Sequence, residues 1–223
     1  MQCTYGGEVT FAACEPGYRL RVANGSTLSI LLDTEDVQRL QARMQAVVAE
    51  VQEERTVTHP LPGKRLLLFD VDGTLRRTTV PGQPCPNGPD EWELLPNVRE
   101  TLACYDWDTQ HDWRLISNQG GIGLGYMTES ACLRLLYSCV HACGLPTTYS
   151  FVAHLHICPH APNAGCVCRK PSPWMLLQAI QDVGVQLDEA LYIGDMDSDR
   201  EAARRAGIDY IEAARFFGWV SQP

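Results

Sequence analysis

The sequence has no run of about 18–20 apolar residues, the length needed to span a bilayer. Its start, Met1-Gln2-Cys3-Thr4, lacks a basic stretch followed by an apolar one. No signal peptide is therefore expected, and the cytoplasm is the expected location. Basic charge is in short supply: 18 Lys and Arg face 27 Asp and Glu, a net charge of −9. A general nucleic-acid binder carries a basic surface, so this balance disfavours nucleic acid as a partner. Internal repeats and low-complexity tracts are also missing, so neither a repeat array nor a biased linker accounts for the length.

Apolar residues, by contrast, make up 45% of the 223. That suffices for one catalytic domain and a small appendage. Cysteine is abundant, with ten residues. Without an export signal, burial or metal binding is favoured over disulfides. Cys132, Cys139 and Cys143 recur at helical spacing around Leu135 and Leu136 and read as core. Cys158, Cys166 and Cys168 cluster with His160 and read differently.

Residues 1–60 form a small strand-plus-helix segment and linker. Strands are expected at 8–13, 18–22 and 26–32, with Gly and Asn turns between them. A helix follows, capped by Asp33 or Thr34, with Val37, Leu40, Met44, Val47 or Val48, and Val51 on one face. That face is available for packing on the strands or for self-association. Pro60, Pro62 and Gly63 mark residues 56–64 as a linker.

Residues 61–223 alternate between strand and helix. Strands are expected at 65–69, 113–116, 150–157, 190–193 and 208–211, and helices at 98–105, 128–143, from Ser172 to near Gly184, and 198–206. The 65–69 run is continuously apolar, as in a parallel strand buried on both faces. Such alternation predicts an α/β fold, a Rossmann-like parallel sheet with helices on both faces. The N-terminal segment would be an α+β appendage to it.

Ligands of open parallel sheets sit at the carboxyl ends of the strands. Four polar clusters fall at those ends: Asp70-Val71-Asp72, Ser117-Asn118-Gln119, Arg169-Lys170-Pro171 and Gly194-Asp195. Carboxylates brought together need a cation, and Mg²⁺ takes carboxylate, phosphate and water oxygens. An aspartate beside that ion can attack phosphorus. A lysine and a hydroxyl suit the phosphoryl oxygens, and a second aspartate two residues on suits proton transfer. Each cluster alone reads as a turn or a cap; their joint order after successive strands points to phosphoryl transfer.

The ordered set Asp70-Val71-Asp72-Gly73-Thr74, Ser117-Asn118-Gln119, Lys170 and Gly194-Asp195-Met196-Asp197-Ser198-Asp199 resembles the haloacid dehalogenase (HAD) superfamily, over residues 65 to about 211. The resemblance implies a phosphatase. Asp70 would be the nucleophile and a Mg²⁺ ligand. Asp72 would be the general acid/base and would give its backbone carbonyl to Mg²⁺. Asp195 would be the third protein ligand, with Asp199, and Asp197 left open, supporting the metal site. Ser117 and Lys170 would hold the phosphoryl oxygens, with Asn118 and Arg169 beside them on the substrate side.

Cys158-Pro159-His160 and Cys166-Val167-Cys168 present three thiolates and an imidazole, a closed tetrahedral Zn²⁺ set. The five residues between them, Ala161 to Gly165, have turn composition. The cluster ends directly on Arg169-Lys170, so a structural Zn²⁺ would aim both. His154 and His156 are alternative imidazoles. Together with Cys-Arg-Lys-Pro, the cluster resembles the zinc-containing branch of the superfamily that includes heptose-bisphosphate and histidinol-phosphate phosphatases. That resemblance implies little or no cap domain and a small phosphorylated substrate. The proline-rich flap at 78–93, with Asp90-Glu91-Trp92, resembles instead the polynucleotide 3′-phosphatases, which lack the cysteine cluster. A non-enzymatic assembly module is the third reading.

Overall fold

The computed structural model describes residues 57–147 and 151–219, the backbone of four N-terminal strands, and helical positions 35, 38, 39, 42, 43 and 45. The chain divides into two compact units, Met1–Thr56 with Val220–Pro223, and Val57–Trp219.

The first unit contains an antiparallel meander of β1 (Gln2–Tyr5), β2 (Val9–Ala13), β3 (Tyr18–Val22) and β4 (Thr27–Ile30), paired in chain order. Sequence patterning marks β2, β3 and β4 but not β1. The apolar face expected on the following helix lies outside the described residues, and with it the self-association reading.

The second unit is built on five parallel strands: β5 (Leu66–Phe69), β8 (Asp112–Asn118), β9 (Leu155–Cys158), β10 (Ala190–Gly194) and β11 (Asp209–Glu212). Their order is β11-β10-β5-β8-β9. Strand residues alternate between faces. Leu67 and Phe69 therefore join Trp113, Leu115, Leu136, Val140 and Phe216 on one side. Leu66 and Leu68 join Ile116, Met175, Leu176, Tyr192 and Ala203 on the other. All four residues of β5 are fully buried, which explains its unbroken apolar run. The chain leaves β5 for β8 and β9, then returns to β10 on the opposite side of β5. The carboxyl end of β5 is therefore the switch point where a crevice opens.

Helices α1 (Val98–Leu102), α2 (Gly120–Gly123), α3 (Glu129–Cys143), α4 (Trp174–Val183), α5 (Asp197–Ala206) and α6 (Ala213–Phe216) complete the unit. The Thr128 hydroxyl caps α3 by accepting from the Ala131 N–H at 3.2 Å. Gly144, at φ 76°, ends it. Cys132, Cys139 and Cys143 lie on its buried face, as the spacing predicts. Among the described residues no helix is long and apolar enough to cross a membrane.

The structure departs from sequence expectation elsewhere too, beginning with the short helices α2 and α6, which patterning does not mark. Residues 151–154 are a 3₁₀ turn, Phe151–His154, rather than the start of a strand; Val152 points outward at 64% exposure, so there is no buried alternation to extend. The helix expected to 105 stops at Leu102. The flap is closed by a two-stranded pair, β6 (Arg76–Thr78) with β7 (Trp92–Leu94), in register Arg76↔Leu94. Residues read as linker are docked: His59 Nδ1 lies 2.6 Å from the Tyr105 hydroxyl and Nε2 2.9 Å from the Phe216 carbonyl oxygen.

Candidate active site

Three strand ends meet at the switch point. Asp70 follows β5, Ser117 and Asn118 close β8, and Asp195 follows β10. After Asp70 the chain folds into one tight turn, in which the N–H groups of Leu75 and Arg76 both donate to the Val71 carbonyl, at 2.9 and 3.1 Å. Gly73 sits in that turn at φ 96°. A Cβ there would fall 2.1 Å from Asp195 Oδ2. Only glycine allows this backbone to meet the Asp195 carboxylate.

Lys170 is the hub, although it is only 6% exposed. Its ammonium lies 2.5 Å from Asp70 Oδ1 and 2.7 Å from Asp199 Oδ1. It also donates to the Tyr192 hydroxyl at 2.9 Å and the Ile116 carbonyl at 3.0 Å. Tyr192 in turn donates to Asp199 Oδ1 at 2.8 Å. Burial raises Asp70 to about 7, against the pull of Lys170. Burial opposes the Lys170 charge too, but Asp70 and Asp199 outweigh it and raise the ammonium. The backbone of Lys170 is fixed by Asn118, whose Oδ1 accepts from the Lys170 N–H at 3.0 Å and whose amide nitrogen donates to the Lys170 carbonyl at 3.3 Å. Both ends of the Asn118 amide thus hold Lys170.

One oxygen each of Asp70, Asp195 and Asp199 lies within 4.8 Å of the others. Three carboxylates face one ammonium, an arrangement short of positive charge that suits a divalent cation with oxygen ligands. Asp199 has both oxygens engaged, the second accepting from the Met196 N–H at 3.0 Å. Asp70, with Oδ1 on Lys170, and Asp195, whose Oδ1 accepts from the Thr74 hydroxyl at 3.3 Å, are the less engaged carboxylates and the ones suited to a metal. Asp197 faces outward and pairs with Arg200 at 3.2 Å.

The Asp72 side chain turns away from this cluster. Its Oδ1 accepts from Arg76 Nε at 2.8 Å, and its Oδ2 from Gln119 Nε2 at 3.2 Å. The same Gln119 nitrogen donates to Ser117 Oγ at 2.7 Å. Sequence reading missed Arg76, Gln119 and Tyr192 as individual contributors. Tyr192 left a signal, a phenol inside a fully buried strand, which requires a polar partner. Arg76 left no such signal: it meets Asp72 because the turn after β5 brings the chain back on itself as β6 begins.

Cys158, His160, Cys166 and Cys168 converge, one ligand atom of each lying within 4.8 Å of the rest. Cys158 Sγ is 3.5 Å from Cys166 Sγ and 3.6 Å from His160 Nδ1, which is 3.3 Å from Cys168 Sγ. A tetrahedron with Zn–S bonds of about 2.3 Å has edges of about 3.8 Å, so the donor set fits Zn²⁺. His154 and His156 stand apart. His154 stacks on Trp113 with ring centroids 4.5 Å apart, and His156 Nε2 lies 3.8 Å from Asp182. Arg169 folds back on the loop, its Nη1 donating to the His160 carbonyl at 3.4 Å.

A family model for HAD-hydrolase-like proteins matches residues 167–214, the span from Val167 through Lys170 and β10 to the start of α6. Two curated bacterial proteins match a longer stretch. One, from Bordetella bronchiseptica, is 31% identical over 145 residues, covering 64% of this chain and 76% of that protein. The other, from Pseudomonas aeruginosa, is 32% identical over 143 residues, covering 63% and 76%. The chain belongs to the haloacid dehalogenase-like hydrolases and is a phosphoric monoester hydrolase. Both of those relatives are named D-glycero-beta-D-manno-heptose-1,7-bisphosphate 7-phosphatase. The crystal structure of D,D-heptose 1,7-bisphosphate phosphatase from B. bronchiseptica, with magnesium and phosphate, superposes with a TM-score of 0.52 at 24% identity, covering 71% of this chain and 88% of that one. It shares the fold.

Proposed function

We propose that this enzyme removes a phosphoryl group from a small phosphorylated sugar, of the bisphosphate kind in its relatives' names, through an aspartyl-phosphate on Asp70. The observation that carries this reading is the meeting of Asp70, Lys170 and Asp195 at the switch point. Mg²⁺ would be held by Asp70, Asp195 and the Asp72 backbone carbonyl. When bound, it supplies positive charge that offsets the site's carboxylates and the phosphoryl oxygens. The chain's own residues do the rest. Lys170 and Ser117 hold the phosphoryl oxygens, and Asn118 holds Lys170. Asp70 attacks phosphorus while Asp72 gives its proton to the departing ester oxygen. Water then attacks phosphorus of the Asp70 acyl phosphate, Asp72 takes its proton, and phosphate leaves with the Asp70 carboxylate restored. Cys158, His160, Cys166 and Cys168 would carry a structural Zn²⁺, with Arg169 beside the substrate.

The test is phosphate release from heptose 1,7-bisphosphate, histidinol phosphate and a 3′-phosphorylated oligonucleotide, each with and without Mg²⁺. The sugar bisphosphate is expected to be preferred and EDTA to stop turnover. Preference for the oligonucleotide would replace the substrate assignment with nucleic-acid end processing, and failure on every phosphoester would end it.

Gly73→Ala offers a sharper geometric check. The added methyl must displace the Asp195 carboxylate, so kcat is expected to fall by about 10²-fold, the typical cost of a 1 Å misplacement, and the Mg²⁺ requirement to rise. Unchanged Mg²⁺ affinity in a folded variant would argue that Asp195 is no ligand.

A further inference from the structure

The Arg76 guanidinium is only 1% exposed, and none of the steps above uses it. A guanidinium is retained in such a place where its donors are matched. Arg76 has three contacts, each on a different element. Nε donates to Asp72 Oδ1 at 2.8 Å, and Nη1 to the Leu135 carbonyl of α3 at 3.2 Å. The guanidinium carbon lies 5.7 Å from the ring centroid of Trp92, on flap strand β7. Arg76 itself opens the other flap strand, β6.

The second Asp72 oxygen is held from the opposite side. Gln119 Nε2 donates to Oδ2 and to Ser117 Oγ, and the Cys132 thiol donates to Gln119 Oε1 at 3.4 Å. The carboxyl plane of Asp72 is therefore clamped by two residues from separate parts of the chain. The clamp continues to the hydroxyl assigned to a phosphoryl oxygen.

We propose that Arg76 is a positioning residue for proton transfer: by occupying Asp72 Oδ1 it makes Oδ2 the oxygen that exchanges the proton, and it ties that orientation to the flap through Trp92. This inference rests on the acid/base role given to Asp72 above. A guanidinium N–H on Oδ1 leaves Oδ2 as the favoured seat for a proton, on the side of Gln119 and Ser117. In the first half-reaction the Oδ2 proton passes to the ester oxygen as the P–O ester bond breaks and the Asp70 O–P bond forms. In the second, Oδ2 takes a proton from water as the water oxygen bonds to phosphorus and the Asp70 O–P bond breaks.

Leaving-group dependence separates positioning from simple structural support. An alkyl ester needs the proton, whereas p-nitrophenyl phosphate expels a stable phenolate without it. The quantity to compare is kcat/KM, which excludes the dephosphorylation step. Arg76→Met is expected to lower kcat/KM for the sugar phosphate by about 10²-fold and for p-nitrophenyl phosphate by less than about 5-fold. Arg76→Lys should recover part of the loss. Asp72→Asn should show the same selectivity, and adding Arg76→Met to it should cost little more, because both act through one carboxyl. Should Arg76→Met aggregate, Arg76→Lys alone and combined with Asp72→Asn carries the same comparison.

Equal losses on both esters, additive with Asp72→Asn, would overturn the role of Arg76 and leave the Asp72 assignment standing. Equal losses on both esters in Asp72→Asn itself would overturn the acid/base assignment, and the inference with it.

Discussion

Asp70→Asn is expected to reduce turnover by on the order of 10⁴-fold or more, to the level that binding and electrostatics alone sustain. The carboxamide keeps the shape of the side chain but cannot attack phosphorus. Asp70 is only 6% exposed and lies 2.5 Å from Lys170, and of the neighbouring carboxylates Asp199 has both oxygens engaged and Asp195 is assigned to the metal. Asp199 remains 2.7 Å from the ammonium, so Lys170 keeps a carboxylate partner and the fold should survive. Two measurements check this. Acid quenching of the wild type with radiolabelled substrate should trap a phosphoprotein that is absent from the variant, and circular dichroism should show the same folded spectrum for both. A variant that retains wild-type turnover, or still accumulates phosphoprotein, would rule out Asp70 as the attacking group.

Much of this architecture was legible because the sheet is parallel and buried on both faces. An unbroken apolar run such as Leu66 to Phe69 has few other readings, and the polar residues at the ends of β5, β8 and β10 sit at the crevice by topology alone. The α3 boundaries were readable for a similarly local reason, a threonine cap and a glycine stop. Less visible were features decided by tertiary contacts. Phe151 and Val152 look like strand residues, yet Val152 is 64% exposed, and nothing in its own composition announces that. The flap prolines read as irregular loop and concealed the β6–β7 pair that flanks them. Arg76 reads as one of two adjacent arginines with no reason to differ. In the fold Arg77 pairs with Glu93 at the surface, 2.6 Å away, while Arg76 is buried against Asp72. A strand sends neighbours to opposite faces, and only knowledge of what lay on the inner face would have distinguished them.

Losing the proposed zinc is expected to cost both stability and activity, because the loop between its outer ligands is largely exposed. Val167 is 72% exposed, and the turn from Ala161 to Gly165 has no apolar residue large enough to anchor it. Yet the loop packs closely on the site. A Cβ on Gly123 would come within 2.4 Å of the Ala161 nitrogen, and the chain runs from Cys168 directly into Arg169 and Lys170. The purified protein is therefore expected to contain about one zinc per chain, bound by Cys158, His160, Cys166 and Cys168. Cys158→Ser should bring the zinc content close to zero. With the loop unanchored, the loss is expected to be about 3 kcal/mol or more, a fall in the melting midpoint of roughly 6–12 °C. Displacing Lys170 should lower kcat/KM by about 10²-fold even in saturating Mg²⁺. His154→Ala and His156→Ala should keep the metal, since the first ring stacks on Trp113 and the second faces Asp182. Metal analysis, melting curves and phosphate release on this set separate the two effects. Lost zinc with unchanged kcat/KM would mean that Asn118, which hydrogen-bonds the Lys170 backbone from both sides, positions Lys170 by itself. Protein that contains no zinc and is fully active with reduced cysteines would rule out the metal altogether.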